Sequence, residues 1–498
     1  MSPLHLAIDL GAGSGRAMLG SLGADGLLLR EVHRFHYQPR HVAGHLRWDM
    51  SRLVDGMRHG LERAGLEAAL LGQPLASIGV DSWGVDYALV DASGRLAEGP
   101  ICYRDDRTVT IADEVVARAG RDWLFARTGI QLLPFNTLFQ IAAHVRAGLP
   151  PDAARLLMIP DFCHSVLCGS AVTEHTNAST TQMLRAGEMA WDGEVCDLVG
   201  LPRSFLPAIV PAGAALGTLN ARWQADCGVG DVQVVAPATH DTGSAIVGTP
   251  LERGWAYVSS GTWSLVGIER DQPLLGEEVG QANFTNEAGA FGTTRFLKNV
   301  MGLWILESCR REWNGAGLGI AHQDLLDGAR QLPGFVGFVF PDHPRFFNPP
   351  SMIAEVRGSL ADTGQQVHQD PVLLTKVVLD SLALRYASVV GTIERLNGRP
   401  VPGIHIVGGG SWNDYLNQAT ADAAARPVTA GPAEATAIGN LLVQSIAEGS
   451  LPSLGESRRL LAQHLQLRHF TPRNVDDWAE AAARYGDVEA AQTSGAHR

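Results

Sequence analysis

The sequence predicts an α/β protein of two domains with related architecture, and three observations carry this. The chain has 498 residues, too long for one ordinary core, which stops growing near ~250–300 residues. Each half opens on the same pattern of strand, small-residue turn and strand, LHLAIDLGAGSGRAMLGSL from Leu4 and GWAYVSSGTWSLVGIER from Gly254. The second half then closes on IHIVGGG, WNDYLNQATADAAA, PVTAG and AEATAIGNLLVQSIAEG. That alternation of strand and helix is the order of a parallel sheet with crossover helices. The likeness of the halves is topological, without a sequence period.

Taken in order, the first hairpin turns at GAG, and a third strand follows through LLLREVHRFH. Apolar residues at a helical period predict a helix over 49–71. LASIGVDSWGVDYALVDASG gives two apolar strands on either side of DSWG, with DASG as the next turn. Residues 108–230 mix helices and loops, including LPFNTLFQIAAHVRAG and MIPDFCHSVLCG. The strand VQVV then enters a tight polar turn, APATHDTGSA. A long helix is expected over 374–396. The terminal AAQTSGAHR is polar and alanine-rich and is expected to be disordered. The domains are placed at 1–245 and 246–455, with 456–498 as a C-terminal extension ending in that tail.

Composition narrows the function classes. With 39 Lys and Arg against 52 Asp and Glu, the net charge is −13, which argues against nucleic-acid and anionic-membrane partners. No run reaches the ~18 apolar residues of a membrane helix. The N-terminal segment lacks the basic and long apolar stretches of a signal peptide. The six cysteines show no CxxC and no zinc-ligand spacing, and they read as reduced, mostly buried thiols of a cytoplasmic protein. His33, His36, His41 and His45 match no ligand pattern and read as solvated or structural.

The 56 glycines gather in short runs at strand ends, where backbone turns sharply or approaches a ligand. DLGAGSGR (9–16) has neither the Walker spacing nor a GxGxxG opening a helix. As a hairpin it suits a nucleoside triphosphate with Mg²⁺: Asp9 toward metal-bound water, Ser14 and backbone N–H groups toward phosphate, Arg16 adding charge. SSGTWS (259–264) is the matching turn of the second half. Either alone is also a plain glycine hairpin; together they form a pair of phosphate jaws. VGGGSWN (407–413) would let a flat adenosine lie on backbone, with GPAEATAIGN (431–440) as a further wall. DSWGVD (81–86) and YRDDR (103–107) mix carboxylates, arginines and aromatics, a set that suits a polyhydroxylated ligand or a surface turn with ion pairs. In APATHDTGSA, His240-Asp241-Thr242 reads either as a loop with a satisfied histidine or as an acid–base group at a strand end.

AIDLGAGSGR, IGVDSWGVDYALVD, YRDDRT, GIQLLPFNTLFQ, TNASTTQML, ATHDTGSA, YVSSGTWSL, FLKNVMGLW and HIVGGG occur in this order. Together they resemble the FGGY carbohydrate kinases, over about residues 5–475. The resemblance implies two ribonuclease-H-like (actin-like ATPase) domains flanking a catalytic cleft, the first mainly for sugar and the second for ATP. LPFNTLFQ, TNASTTQ and LKNVMGLW are similar to the branch that uses ATP and Mg²⁺ to phosphorylate L-rhamnulose at its 1-hydroxyl. On that pattern Asp241 is the catalytic base. Gly84, His240, Asp241, Thr242 and Asn299 meet the sugar. Ala12, Gly13, Ser14, Gly15 and Arg16 form the first phosphate loop, Thr262 lies on the second, Glu307 lies at a nucleotide position and Gly409 on the adenosine loop. Two residues depart from it: Glu307 stands where glutamine is frequent, and Trp412 where a polar residue is usual. A related kinase for L-fuculose or L-xylulose, and a non-catalytic sugar sensor, remain alternatives. The expected partner is a small ketose, and the expected assembly a monomer or homodimer.

Overall fold

The computed structural model describes residues 2–495, and its chain divides into two compact units interleaved in sequence. The first gathers the chain up to Pro250, Glu269–Phe296 and Ala435–Leu465; the second gathers Leu251–Ile268, Leu297–Glu434 and the chain from Gln466 onward.

The first unit is built on β1 (Leu4–Leu10), β2 (Ser14–Gly23), β3 (Gly26–His36), β4 (Leu75–Ser82), β5 (Ala215–Thr218) and β6 (Gln233–Val235), in the order β5-β6-β4-β1-β2-β3. β1, β2 and β3 form an antiparallel meander, and β4 and β6 run parallel to β1. LHLAIDL and LASIGVDS are almost wholly buried, which is why they read as near-continuous apolar runs. Helix Met50–Leu70 begins where the Asp49 side chain accepts from Arg52 N, and it buries Leu53, Met57, Leu61, Ala64 and Ala68 along one face. The strand after DSWG, Tyr87–Val90, leaves this sheet and pairs antiparallel with Arg155–Met158.

The second sheet holds β7 (Ala256–Ser260), β8 (Trp263–Arg270), β9 (Thr294–Met301), β10 (Ile404–Val407), β11 (Val428–Ala430) and β12 (Arg468–Phe470), ordered β9-β8-β7-β10-β11-β12, with a seventh strand, Thr285–Ala288, beside β9. The start of β9 through Phe296, Arg295 included, and the end of β8 from Glu269 are counted with the first unit. β7 and β8 form an antiparallel hairpin, β10 and β11 run parallel to β7, and β12 closes the edge antiparallel. Both sheets carry a hairpin feeding parallel strands and an antiparallel edge, but the edge strand β5 precedes its neighbour β6 in the chain whereas β12 follows β11. Helix Pro371–Asn397 is opened by the Asp370 side chain and Pro371 and closed by Gly398 at φ 66°.

One expectation is corrected here. Residues 490–495, read from composition as disordered, close the helix Val475–Gly495. Gln492 anchors it: its buried side chain accepts from Phe340 N at 3.4 Å and donates to Ser359 Oγ at 2.7 Å. Residues 496–498 lie outside the described residues. The six cysteines are free, and all but the half-buried Cys168 are buried; burial pushes the Cys196 and Cys309 thiols up to about 12. His33 stacks on Phe35, while His45 faces Asp105 at 3.2 Å. Among the described residues no helix is long and apolar enough to cross a membrane.

Candidate active site

In the first unit the parallel strands end side by side. Asp9 on β1 is the register partner of Asp81 on β4, and Ser82 bridges in parallel to His240. Asp241 follows as the first residue of helix Asp241–Val247. Three aspartates thus share the C-terminal end of the parallel strands, the usual ligand-binding end of an open α/β sheet.

Asp81 opens the DSWGVD stretch, and the sequence reading gave it no place beside Asp9. It is 0 % exposed. Its Oδ2 accepts from Asn440 Nδ2 at 2.5 Å, while Oδ1 has no hydrogen-bond partner among the described residues. Burial first, and then the Asp9 charge, push its pKa well above the usual carboxylate range. The signal was an aspartate inside the apolar run IGVDS, level with Asp9. Asn440 belongs to helix Ala435–Glu448. Its Oδ1 accepts from Gln444 Nε2 at 2.6 Å, and that amide nitrogen also donates to Leu6 O at 3.1 Å. The stretch GPAEATAIGN divides: Pro432 stays beside the glycine loop, its carbonyl accepting from Gly408 N at 3.3 Å, while Ala435 onward forms a helix that pins β1 and β4 of the first unit.

Asp241 keeps 27 % of its side chain exposed. Burial pushes its pKa up to about 6, with Asp9 adding to the rise and His240 and the Thr242 N–H opposing it. His240 Nε2 lies 3.5 Å from Asp241 Oδ1. On its other side, Nδ1 meets Arg295 Nη2 at 3.0 Å and Glu287 Oε2 at 3.2 Å. Arg295 also donates to Thr242 Oγ1 at 2.8 Å and to Ala288 O at 3.1 Å. The sequence reading missed Arg295; its signal was a cation inside the apolar strand TRFLKNVM.

Gly84 lies against the same histidine. A Cβ there would sit 3.0 Å from Thr180 Oγ1 and 3.2 Å from His240 Nε2, so any side chain would crowd the ring. Val85 adopts φ 65°, a costly conformation for a β-branched residue. It is fixed by Thr180 Oγ1, which accepts from its N–H at 3.1 Å, and by Thr137 Oγ1, which donates to its carbonyl at 2.6 Å. The neighbouring Asp86 is not a sugar-facing carboxylate. It accepts from Trp48 Nε1, Trp83 Nε1, Gln140 Nε2 and the Tyr103 N–H, all within 3.2 Å. Trp83 is buried by the same network. Asp105 of YRDDR is likewise internal, accepting from Leu46 N and Arg107 N.

The turn between β1 and β2 is held from behind by Tyr37. Its hydroxyl donates to Gly11 O at 2.5 Å, its N–H donates to Gly13 O at 3.3 Å, and Gly11 N donates to Ser14 O at 2.9 Å. Ala12, Gly13 and Ser14 are half-buried, whereas Gly15 is buried and its missing side chain makes room for the Phe35 ring. Arg16 reaches Asp9, donating to Oδ2 at 2.5 Å, so its charge is shared with that carboxylate.

The remaining candidates lie in the second unit. The Gly261–Thr262 turn is clamped by backbone: Leu303 N donates to Gly261 O at 2.9 Å, and Gly302 N and Trp304 N to Thr262 O, each at 3.2 Å. Thr262 and Glu307 line one cavity of about 330 Å³ with Trp304 and Arg311. Both Glu307 oxygens accept from Arg310, at 2.8 and 2.9 Å, so this carboxylate is held by a neighbour on its own helix. Gly409 opens the short helix Gly409–Trp412. The neighbouring Gly410 is needed because a Cβ would sit 2.0 Å from Ser260 Oγ at the end of β7. Trp412 points outward, 71 % exposed, with Arg468 over its ring at 5.2 Å. Asn299 is half-buried on β9.

Residues 4–248 match the model of the N-terminal domain of the FGGY family of carbohydrate kinases, and residues 256–448 that of its C-terminal domain. A rhamnulokinase of Pectobacterium carotovorum is 43 % identical over 496 residues, covering 98 % of this chain and 97 % of its own. A rhamnulokinase of Bacteroides thetaiotaomicron is 39 % identical over 484 residues, covering 97 % and 98 %. Among solved structures, a xylulose kinase from Rhodospirillum rubrum superposes with a TM-score of 0.79 at 18 % identity, covering 99 % of this chain and 100 % of that one. A gluconate kinase from Lactobacillus acidophilus gives 0.77 at 15 % identity, covering 99 % and 97 %. At such identities these structures speak for the fold alone. With both family domains matched in order along nearly the whole chain, this protein belongs to the FGGY family of carbohydrate kinases.

Proposed function

We propose that the chain transfers the γ-phosphoryl group of ATP to the 1-hydroxyl of L-rhamnulose, giving L-rhamnulose 1-phosphate. The observation that carries the chemistry is Asp241, held at a helix start among strand-end aspartates with its pKa raised to about 6. The full-length relatives at 37–43 % identity, named rhamnulokinases, support the choice of sugar. The first domain, residues 1–245, would hold mainly the ketose and residues 246–455 mainly the nucleotide.

Phosphoryl transfer needs little covalent help, so positioning and charge stabilisation dominate. Asp241 accepts a hydrogen bond from the sugar's 1-hydroxyl, aims its oxygen and takes its proton late in the transfer. His240, Thr242 and the bare backbone at Gly84 orient the sugar beside it, with Asn299 as a further sugar contact. The turn Ala12–Gly15 and the Thr262 turn present N–H and hydroxyl groups to phosphate oxygens. Glu307 and Gly409 would border the nucleoside. Oxygen donors suit a divalent cation such as Mg²⁺: Asp9 and the unpartnered Asp81 Oδ1 fit one, and when bound it neutralises phosphate charge.

Thr262→Val and Gly13→Val are expected to raise the apparent KM for ATP more than that for the ketose. The reverse order in steady-state kinetics would put the ligands in the wrong halves. An ADP-release assay over L-rhamnulose, L-fuculose and L-xylulose tests the substrate. L-Rhamnulose is expected to give the highest kcat/KM; a higher value for another ketose moves the substrate, and no turnover with any ketose removes the kinase reading.

A further inference from the structure

We infer that Arg295 is a positioning residue that makes His240 and Thr242 hydrogen-bond donors toward the sugar, which rests on reading the trio as the sugar-binding site. Arg295 is 1 % exposed, so each of its contacts is sheltered from water and its donors must be used.

A guanidinium donates and never accepts. Nη1 donates to Thr242 Oγ1 at 2.8 Å, so that oxygen is an acceptor on the arginine side and its own proton is not used there; the same oxygen lies 3.3 Å from both His240 ring nitrogens. Nη2 stands in hydrogen-bonding geometry to His240 Nδ1 at 3.0 Å. Nδ1 must then be the unprotonated nitrogen, and the neutral ring carries its proton on Nε2. Nε2 is the nitrogen that faces Gly84 and lies 3.5 Å from Asp241 Oδ1. Nε of Arg295 is tied to Ala288 O at 3.1 Å, which fixes the plane of the fork.

Glu287 completes the cluster. Its Oε2 is 3.1 Å from Arg295 Nη2 and 3.2 Å from His240 Nδ1. It neutralises the buried guanidinium. A proton on Nδ1 directed at Glu287 would set a ring N–H against an arginine N–H at 3.0 Å, with both competing for the same carboxylate oxygen. The groups around the ring are thus Arg295, Glu287, Thr242 and Asp241, and the Nε2–H tautomer is the one that avoids two donors facing each other at Nδ1.

The consequence is a division of labour at the sugar. His240 Nε2–H and the Thr242 hydroxyl can donate to carbonyl or hydroxyl oxygens of a ketose, while Asp241 is the acceptor for the hydroxyl that is to lose its proton. A site with one acceptor flanked by donors selects which hydroxyl reacts as well as which sugar binds.

The direct test is the ¹⁵N spectrum of the full-length protein labelled at histidine, with the His240 signals identified by their absence in His240→Gln. At neutral pH, wild-type His240 is expected to show an unprotonated Nδ1 and a protonated Nε2. A proton on Nδ1, or a fully protonated ring, would overturn the inference without any variant having to fold. Arg295→Met is expected to raise the KM for L-rhamnulose at least ~10-fold, the worth of one good buried hydrogen bond, with the KM for ATP within about twofold of wild type. Arg295→Lys keeps the charge but not the fork and is expected to recover only part of that loss. Equal rises in both KM values, or full recovery with lysine, would reduce Arg295 to general packing or charge. A wild-type protein inert toward every ketose would instead count against the proposed activity, leaving the tautomer measurement to stand or fall by itself.

Discussion

Asp241→Asn is expected to lower turnover at least ~10²-fold, the lower end for removing a positioned general base, with the KM for ATP little changed. Asparagine matches aspartate in shape and can keep the carbonyl that accepts from Thr242 N at 2.6 Å, so the helix start should persist. What it cannot do is take the proton of the sugar hydroxyl. Near-normal turnover would remove Asp241 from its role. The pH dependence adds a second signature. Because burial lifts Asp241 to about 6, the wild-type kcat/KM for the ketose should fall as pH drops below about 6, when the base becomes protonated. The residual activity of the asparagine variant should lack that limb.

The same shift makes a stability prediction of opposite sign. A carboxyl whose folded pKa lies above its ordinary 3.8 binds its proton more tightly when folded. Its contribution to stability therefore falls as pH rises from about 4 to about 6, and at pH 7 the ionised group costs on the order of 2 kcal/mol, allowing for its partial exposure. Asp241→Asn should be more resistant to denaturant than wild type at pH 7, and the advantage should vanish near pH 4. Loss of activity with gained stability would mark the carboxylate as a group kept for function.

What was legible in the chain was what lay close together in it. The two hairpins, the strand–helix alternation of the second half and the His240-Asp241-Thr242 turn are local patterns, and the turn residues, strand periods and motif spacings that signal them lie within a few positions. Asp81 and Asn440 are 359 positions apart, and Arg295 and Thr242 are 53 apart, so no spacing could join them. For Asp86 the composition misled, because the indoles and amide that satisfy it come from Trp48, Trp83 and Gln140. The same reason explains residues 490–495, where one buried glutamine anchors a turn whose average polarity suggests none. Helix Ala435–Glu448 departs from expectation only past Pro432, which does lie beside the glycine loop. It follows the glycine loop in sequence, yet its polar face is spent on β1 and β4 of the first unit through Asn440 and Gln444.

That helix supplies the second large effect, Gly439→Ala. Helices Asp241–Val247 and Ala435–Glu448 cross at their backbones. A Cβ on Gly439 would lie 1.8 Å from Ser244 O and 2.8 Å from Gly248 N, and one on Gly248 would lie 2.1 Å from Ala435 O. These are main-chain atoms that cannot rotate aside, so one methyl must push the helices apart. Overpacking of this kind costs ~1–3 kcal/mol, and more where backbone has to yield. The denaturant midpoint should fall accordingly. Turnover should fall too, by ~10-fold or more, because the displaced helix begins at Asp241 and a shift near 1 Å can cost ~10²-fold. Gly455→Ala is the control: it adds the same methyl in helix Leu454–His464 with nothing within 4 Å of the new atom, and alanine there should be neutral or stabilising. A Gly439→Ala protein with wild-type midpoint and turnover would show that the crossing has slack and that Asp241 is placed by its strand end alone. A lowered midpoint with unchanged kcat would separate the two roles, leaving the helix contact to stability and the position of the base to the Ser82–His240 bridge and the arginine behind it.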